Sequence, residues 1–238
     1  MRIEVAATLQ DCQSIDMTGK TAVVIDVLRA TSVIATALHN GANAVIPAET
    51  EEEARQLFDG FPPGSALLGG ERNAVRIAGF HKGNSPLEYS RDVVAGKTLI
   101  LSTTNGTRAL HQCHQATETL AASFINISAV ADYLSNKLND TVIVCSGTAG
   151  KFSLDDALCA GMLISLISDR RTVETDDLGK LVLQFYGSDT GNITDKLQSC
   201  THLKYLQSKG YQHDIDYCLQ PGMLFVVPAI KEGKMVKA

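Results

Sequence analysis

The sequence is bounded first by what it does not contain. No apolar run approaches the roughly 20 residues that span a bilayer. The opening MRIEVAATLQDC carries one arginine and too short an apolar stretch for a secretory leader. The chain therefore reads as cytoplasmic, with no membrane partner. Its six cysteines, at 12, 113, 145, 159, 200 and 218, form no CxxC pair, which argues for reduced thiols over a disulfide framework or structural zinc. Basic residues are outnumbered, 21 against 26, and the formal charge of −5 gives no footprint for nucleic acid. An anionic ligand would have to be met by positive charge concentrated locally. No GxGxxG opens a helix after an early strand, which argues against dinucleotide binding. Low-complexity stretches, long linkers and a convincing internal repeat are also missing.

What is present is ordinary in amount and informative in order. A hydrophobic content of 45% over 238 residues suffices for a substantial core. Short β-rich runs fall at Arg2–Ala7, Thr21–Val27, Ala44–Ala48, Ser65–Leu68, Thr98–Leu101, Glu118–Ala122, Thr141–Cys145 and Leu224–Ile230. Helical patterns lie between them: Ala30–Asn40 closed by Gly41, a capping box opening at Thr50, and longer helices over Ile127–Leu138 and Leu154–Ser168. Thr175–Gln212 reads mainly helical, and Gly69–Ser85 as a loop long enough to suggest function. Strand alternating with helix predicts an α/β protein, its largely parallel sheet under helices on both faces. Residues 1–238 are read as one catalytic domain, with two lobes around the site as a variant.

In such sheets, ligands sit beyond the carboxyl ends of the strands. Those ends carry Asp26-Val27-Leu28-Arg29, Gly70-Glu71-Arg72, Ser102-Thr103-Thr104-Asn105-Gly106 and Ser146-Gly147-Thr148-Ala149-Gly150-Lys151. Amides at a helix start have no intrahelical partner and can take up a phosphate or sulfonate. Thr103–Gly106 supplies such a start, although the same residue types are also ordinary helix caps. The turn Cys145–Lys151 is not a Walker A loop, since Phe152 stands where Ser or Thr would bind magnesium. A cysteine followed six positions later by a cation resembles the cradle of cysteine phosphatases, but Lys151 lacks the planar fork of arginine. A buried, inert Cys145 is the commoner outcome for such a residue.

The carboxylates say more. Asp26 ends an almost wholly apolar strand and needs a partner there, for which Arg29 is a candidate. Glu71 sits among glycines, and Asp156 opens a helix where Ser153-x-x-Asp156 also reads as a capping box. Magnesium takes hard oxygens, usually one or two carboxylates with waters and substrate phosphate. Arg29, Arg72, Arg76, Lys82, Arg108 and Lys151 lie on or near the same turns, a local gathering of cations in an acidic chain.

Four segments, VVIDVLRATSVI (23–34), GGERNAVRIAGFHKGNSPLEY (69–89), LSTTNGTRAL (101–110) and CSGTAGKFSLDDALCAG (145–161), together resemble one family, the 2-phosphosulfolactate phosphatases. They cover about a quarter of the chain and recur in the expected order. The resemblance implies a three-layer α/β/α fold with a largely parallel or mixed central sheet. It also implies a magnesium-dependent hydrolase that converts 2-phosphosulfolactate to sulfolactate and inorganic phosphate, a step of coenzyme M biosynthesis. His81-Lys82, Lys151 and Asp155 depart from the family pattern.

The expected site combines both readings. Asp26 and Glu71, with Asp156, would hold Mg2+ against the phosphoryl oxygens, and Arg29 would stabilise the transferring group. Arg72, Ser102, Thr103, Thr104, Asn105, Gly106, Ser146, Gly147 and Lys151 would bind a small anion carrying phosphate with sulfonate or carboxylate. A homodimer is compatible with the chain. Two rivals stay open: a non-catalytic anion-binding or regulatory protein, and a phosphatase using Cys145 as nucleophile. An aspartyl-phosphate at Asp26 lacks the second acid of a DxDx motif, because Leu28 occupies it.

Overall fold

One mixed sheet runs through the structure, a computed structural model that describes residues 1–188 and 191–238. Its strands are β1 (Arg2–Ala6), β2 (Thr21–Ile25), β3 (Ala44–Pro47), β4 (Ala66–Arg72), β5 (Val75–Arg76), β6 (Thr98–Ser102), β7 (Glu118–Ala122), β8 (Thr141–Cys145), β9 (Glu174–Thr175), β10 (Pro228–Lys231) and β11 (Lys234–Lys237). They lie in the order β5-β4-β6-β3-β11-β10-β7-β2-β8-β1-β9. The helices are α1 (Leu9–Cys12), α2 (Ala30–His39), α3 (Glu51–Asp59), α4 (Arg91–Val94), α5 (Gly106–Gln112), α6 (Ile127–Ser135), α7 (Leu154–Ser168), α8 (Asp177–Gly187), α9 (Ile193–Lys196), α10 (Thr201–Ser208) and α11 (Gln212–Cys218).

Two parallel arrays make up most of the sheet. In one, β6 pairs with both β4 and β3; in the other, β2 pairs with both β7 and β8, and β1 continues from β8. The hairpin β10–β11 joins the arrays through single antiparallel pairs, Ala229 with Leu120 and Met235 with Val45. Three successive inversions leave the two arrays running in opposite directions. Outward from the hairpin the order is symmetric: β3 corresponds to β7, β6 to β2 and β4 to β8. The unit β2-α2-β3 begins in one array and ends in the other, and β6-α5-β7 makes the return crossing. An architectural repeat thus exists where the sequence suggests none. It is carried by connectivity, which residue identity does not reveal.

Parallel strands covered on both faces must read as continuous apolar runs, and β2 (TAVVI) and β8 (TVIVC) are buried at every position. Val23 and Ile25 face a core shared with α6, α7, α10 and α11, whereas Ala22 and Val24 face α2 and α5. A smaller core under α3 contains Ile46, Leu68 and Ile100. Helices therefore cover both faces, giving the three layers expected. Helix α2 touches β3 and β7, one strand of each array, and is buried over nearly its whole length. Val33, Ile34 and Leu38 on it each gain about 1.5–3 kcal/mol from leaving water. No helix among the described residues is long and apolar enough to cross a membrane.

Two expected elements are corrected. Gly69–Ser85 is not one loop: β4 continues to Arg72 and turns through Asn73 and Ala74, both at positive φ, into β5. The glycines hid this strand, yet Gly70 has φ 151° and the Ser102 carbonyl occupies the place of any side chain. The last expected strand begins at Pro228 rather than Leu224 and forms a hairpin with a further strand, β11.

Candidate active site

A cavity of about 690 Å³ gathers the turns that follow the central strands. Asp26, Leu28 and Arg29 come from the end of β2, and Glu71, Asn73 and Ala74 from the end of β4. Thr103, Thr104 and Asn105 follow β6, and Thr148, Ala149 and Lys151 follow β8. A further wall comes from Ser199–Leu206, around the start of α10. The four turns converge even though the arrays run in opposite directions, so a single parallel edge is not what unites them.

Asp26 is pinned at the start of α2, where Oδ1 accepts the Ala30 amide at 3.1 Å. Oδ2 accepts no hydrogen bond from the described residues, and a side chain at Gly106 would place its Cβ 2.7 Å from that oxygen. Gly106 therefore leaves room for the carboxyl rather than cradling an anion itself. Burial pushes the Asp26 carboxyl up to about 6, and the Ala30 amide, His202 and Ser146 only partly offset it. Glu71 is more engaged. Its Oε1 accepts the Thr104 amide and hydroxyl, each at 3.0 Å, and Oε2 the Ala74 amide at 2.8 Å. A carboxylate offers about four lone-pair sites, so Glu71 keeps acceptor capacity toward the cavity.

Arg29 is buried, donates to Asp214, and lays its guanidinium carbon 4.0 Å from the Tyr211 ring centroid. Asp214 also accepts the Ser85 hydroxyl at 2.6 Å. The pair is desolvated, so its geometry is held firmly; the remaining N–H groups of Arg29 have no partner among the described residues. Opposite lies a second pair: His202 Nδ1 is 3.4 Å from Oδ2 of the wholly buried Asp155, whose other oxygen accepts the Ser153 hydroxyl. Burial disfavours charge on both partners. Each outweighs that for the other, with Ser153 helping Asp155, so Asp155 lies below its ordinary range and His202 above.

The sequence profile of a family described as 2-phosphosulpholactate phosphatase matches residues 7–233. A protein of Caldanaerobacter subterraneus subsp. tengcongensis named "Probable 2-phosphosulfolactate phosphatase" is 45% identical over 233 residues, covering 98% of this chain and 97% of its own length. The chain belongs to the 2-phosphosulfolactate phosphatase family. Relatives with the same name in Clostridium perfringens (strain SM101 / Type A) and Symbiobacterium thermophilum are 44% and 42% identical, covering 99% and 93% of this chain and 96% and 95% of theirs. The match to the family runs through α10 and α11, well beyond Gly161, where the last of the four recognisable segments ends.

Of the residues expected from the family resemblance and the turns, Asp26, Arg29, Glu71, Thr103, Thr104, Asn105 and Lys151 line the cavity. The others stand behind it. Arg72 donates to the Glu71 carbonyl at 2.7 Å and to the Ser102 hydroxyl at 3.0 Å, binding β4 to β6. Ser102 is consumed by that contact. Asp156 accepts the Val27 amide at 2.9 Å and the Gly147 amide at 3.0 Å, with Ser146 at 3.4 Å. Asp156, absent from the cavity lining, clamps the β2 turn to the β8 turn, and Ser146 and Gly147 are parts of that clamp. Two of the four hydroxyls of LSTTNGTRAL close their own turn: Thr103 and Thr107 exchange amide-to-hydroxyl bonds at 3.3 and 3.2 Å.

Cys145 is buried, outside the cavity, and burial with the nearby Asp156 and Asp155 charges pushes its thiol well up. Neither access nor thiolate character supports the nucleophile reading. Removing a true nucleophile costs on the order of 10⁶ in turnover. Cys145→Ser is expected to spare turnover to a level readily measured by phosphate release.

No three His, Cys, Asp or Glu side chains among the described residues cluster closely enough to cage a metal. Magnesium does not demand a cage, only one or two carboxylates completed by waters and phosphate. Asp26, with Oδ2 free of donors, and Glu71 in the same cavity fit that mode. Sequence reasoning missed His202, Asp214 and Tyr211. Their only signal is a Ser-Cys-Thr-His run that looks like any helix start, followed by amphipathic turns.

Proposed function

We propose that this chain is a magnesium-dependent phosphoric monoester hydrolase that cleaves 2-phosphosulfolactate to sulfolactate and inorganic phosphate, the type of step found in coenzyme M biosynthesis. The observation that carries this reading is the meeting of Asp26, Glu71 and Arg29 in one cavity, in a chain matched over nearly its whole length by a phosphatase family. When held by Asp26 and Glu71, Mg2+ supplies neutralisation of the phosphoryl oxygens and a more acidic water. Arg29 brings a planar guanidinium with several N–H donors to the same cavity. Asp214 and Tyr211 fix its plane, so its free N–H groups can meet the transferring phosphoryl without reorganisation. Asn105, Thr148 and Lys151, which line the same cavity, would take the sulfonate and carboxylate.

Several donors are needed because phosphate monoester hydrolysis can require accelerations up to about 10²¹, and one oxyanion donor contributes only about 3–4 kcal/mol. A non-catalytic anion binder would have little use for two carboxylates at its site, since they repel an anion unless a cation intervenes.

The test is a phosphate-release screen of 2-phosphosulfolactate against 2-phospholactate and phosphoglycerates. The sulfonate ester is expected to lead by about 10²-fold in kcat/KM, the scale set by the roughly 1.5–3 kcal/mol of a hydrogen bond to a charged group. Equal rates would overturn the sulfolactate assignment alone. Release from none of them would overturn the hydrolase.

A further inference from the structure

Resting on the phosphatase reading and deepening it, we propose that His202, oriented by Asp155, is the proton donor to the leaving oxygen of the phosphomonoester. The chemistry calls for one. The group that departs is the alkoxide of a 2-hydroxy acid, strongly basic and a poor leaving group unless protonated as its bond to phosphorus breaks. Asp26 and Glu71 are assigned to the cation, and Arg29 to the oxygens of the transferring phosphoryl.

His202 lines the same cavity as Asp26 and Arg29, with its side chain only 13% exposed. Its Nδ1 faces Asp155 at 3.4 Å, while Nε2 makes no hydrogen bond with the described residues and is not among the sealed polar atoms. Asp155 Oδ2 and His202 Nδ1 are both buried and make no hydrogen bond with the described residues, so what joins them at 3.4 Å is charge. An isolated buried carboxylate is costly, and the imidazolium beside it is the compensating charge. That arrangement holds one ring N–H toward Asp155 and leaves the other facing the cavity, the same division of labour by which an aspartate orients a catalytic imidazole. Of the other charges acting on the ring, Asp26 favours the protonated form and Arg29 opposes it.

Competing acids are worse placed. The Tyr205 hydroxyl already donates to the Asn73 carbonyl at 3.1 Å. Lys151 is exposed at the rim. In the step itself, water oxygen bonds to phosphorus as the phosphorus–oxygen bond to the hydroxy acid breaks. The bonding pair goes to the departing oxygen, which takes the Nε2 proton and leaves as the alcohol. One water proton stays on the phosphate, the other goes to solvent, and the imidazole regains its proton from solvent.

The test compares His202→Gln and Asp155→Asn with the unaltered enzyme on two esters, 2-phosphosulfolactate and 2,4-dinitrophenyl phosphate. The dinitrophenolate departs without a proton. In His202→Gln, kcat on the sulfolactate ester is expected to fall about 10²–10⁴-fold and on the aryl ester less than about tenfold. The surviving aryl activity also reports that the variant is folded. Activity of the unaltered enzyme should decline as pH rises through the imidazolium range; Asp155→Asn should move that decline to lower pH, and His202→Gln should remove it. Equal losses on both esters, or an unmoved alkaline limb, would overturn the proposal. Failure of the unaltered enzyme to release phosphate from either ester would overturn the hydrolase reading together with it.

Discussion

Asp26→Asn is expected to lower phosphate release by about 10³-fold or more, the scale lost with a key charge-stabilising group, while making the metal-free protein more stable. The amide keeps an oxygen for the Ala30 amide bond, so the start of α2 stays capped. What it removes is a buried negative charge. The Asp26 carboxyl sits at about 6 against an ordinary 3.8, because burial disfavours the ionised form. For a group raised in the folded state, the stabilising contribution is complete below the unfolded value and is lost as pH climbs through the folded one. The contribution of this carboxyl should therefore be lost between about pH 4 and 6, about 1–3 kcal/mol in all. Urea denaturation in EDTA should show the variant's advantage over the unaltered chain growing from pH 4 to pH 7. Magnesium should then raise the melting temperature of the unaltered protein but not that of Asp26→Asn. A variant that keeps its activity, or whose relative stability does not change with pH, would contradict this account of the carboxyl.

Arg29→Met should be damaging in two separable ways. The change leaves Asp214 buried, with the Ser85 hydroxyl as its one remaining side-chain partner among the described residues. Breaking one side of a buried ion pair costs about 3–5 kcal/mol, to which loss of the Tyr211 stacking adds. Activity should fall about 10²–10³-fold, as for a removed oxyanion donor. The double variant Arg29→Met/Asp214→Asn neutralises the orphaned charge and should recover much of the stability but none of the activity. Such a cycle separates the structural share of the pair from the catalytic one. Recovery of both together would mean that Arg29 acts only through folding.

The parts of the fold that could be read in advance were those with one dominant period. Strands β2 and β8 stand out as unbroken apolar runs because both their faces are buried, and α2 as a helix because Gly41 ends it. The extension of β4 through Gly69-Gly70-Glu71-Arg72 was not readable, since a strand whose side-chain space is taken by the Ser102 carbonyl must look like a loop. The symmetry of the two arrays was equally hidden, because it resides in which strands pair.

The site divides along similar lines. Asp26 could be singled out as an acid at an apolar strand end, with Arg29 as its neighbour, and Glu71 as an acid among glycines. Asp156 and Arg72 have the same local signature, yet their side chains turn back to the Val27 amide and the Ser102 hydroxyl. Only tertiary contacts distinguish a carboxylate that faces the cavity from one that ties two turns together. His202 and Asp214 reach the site from helices whose local sequence records nothing beyond amphipathicity.

Phosphate release from 2-phosphosulfolactate, measured first in EDTA and then after magnesium is restored, tests the central claim most directly. Release should fall to background in the chelator and return with the added cation. An undiminished rate in EDTA would contradict the role assigned to Asp26 and Glu71.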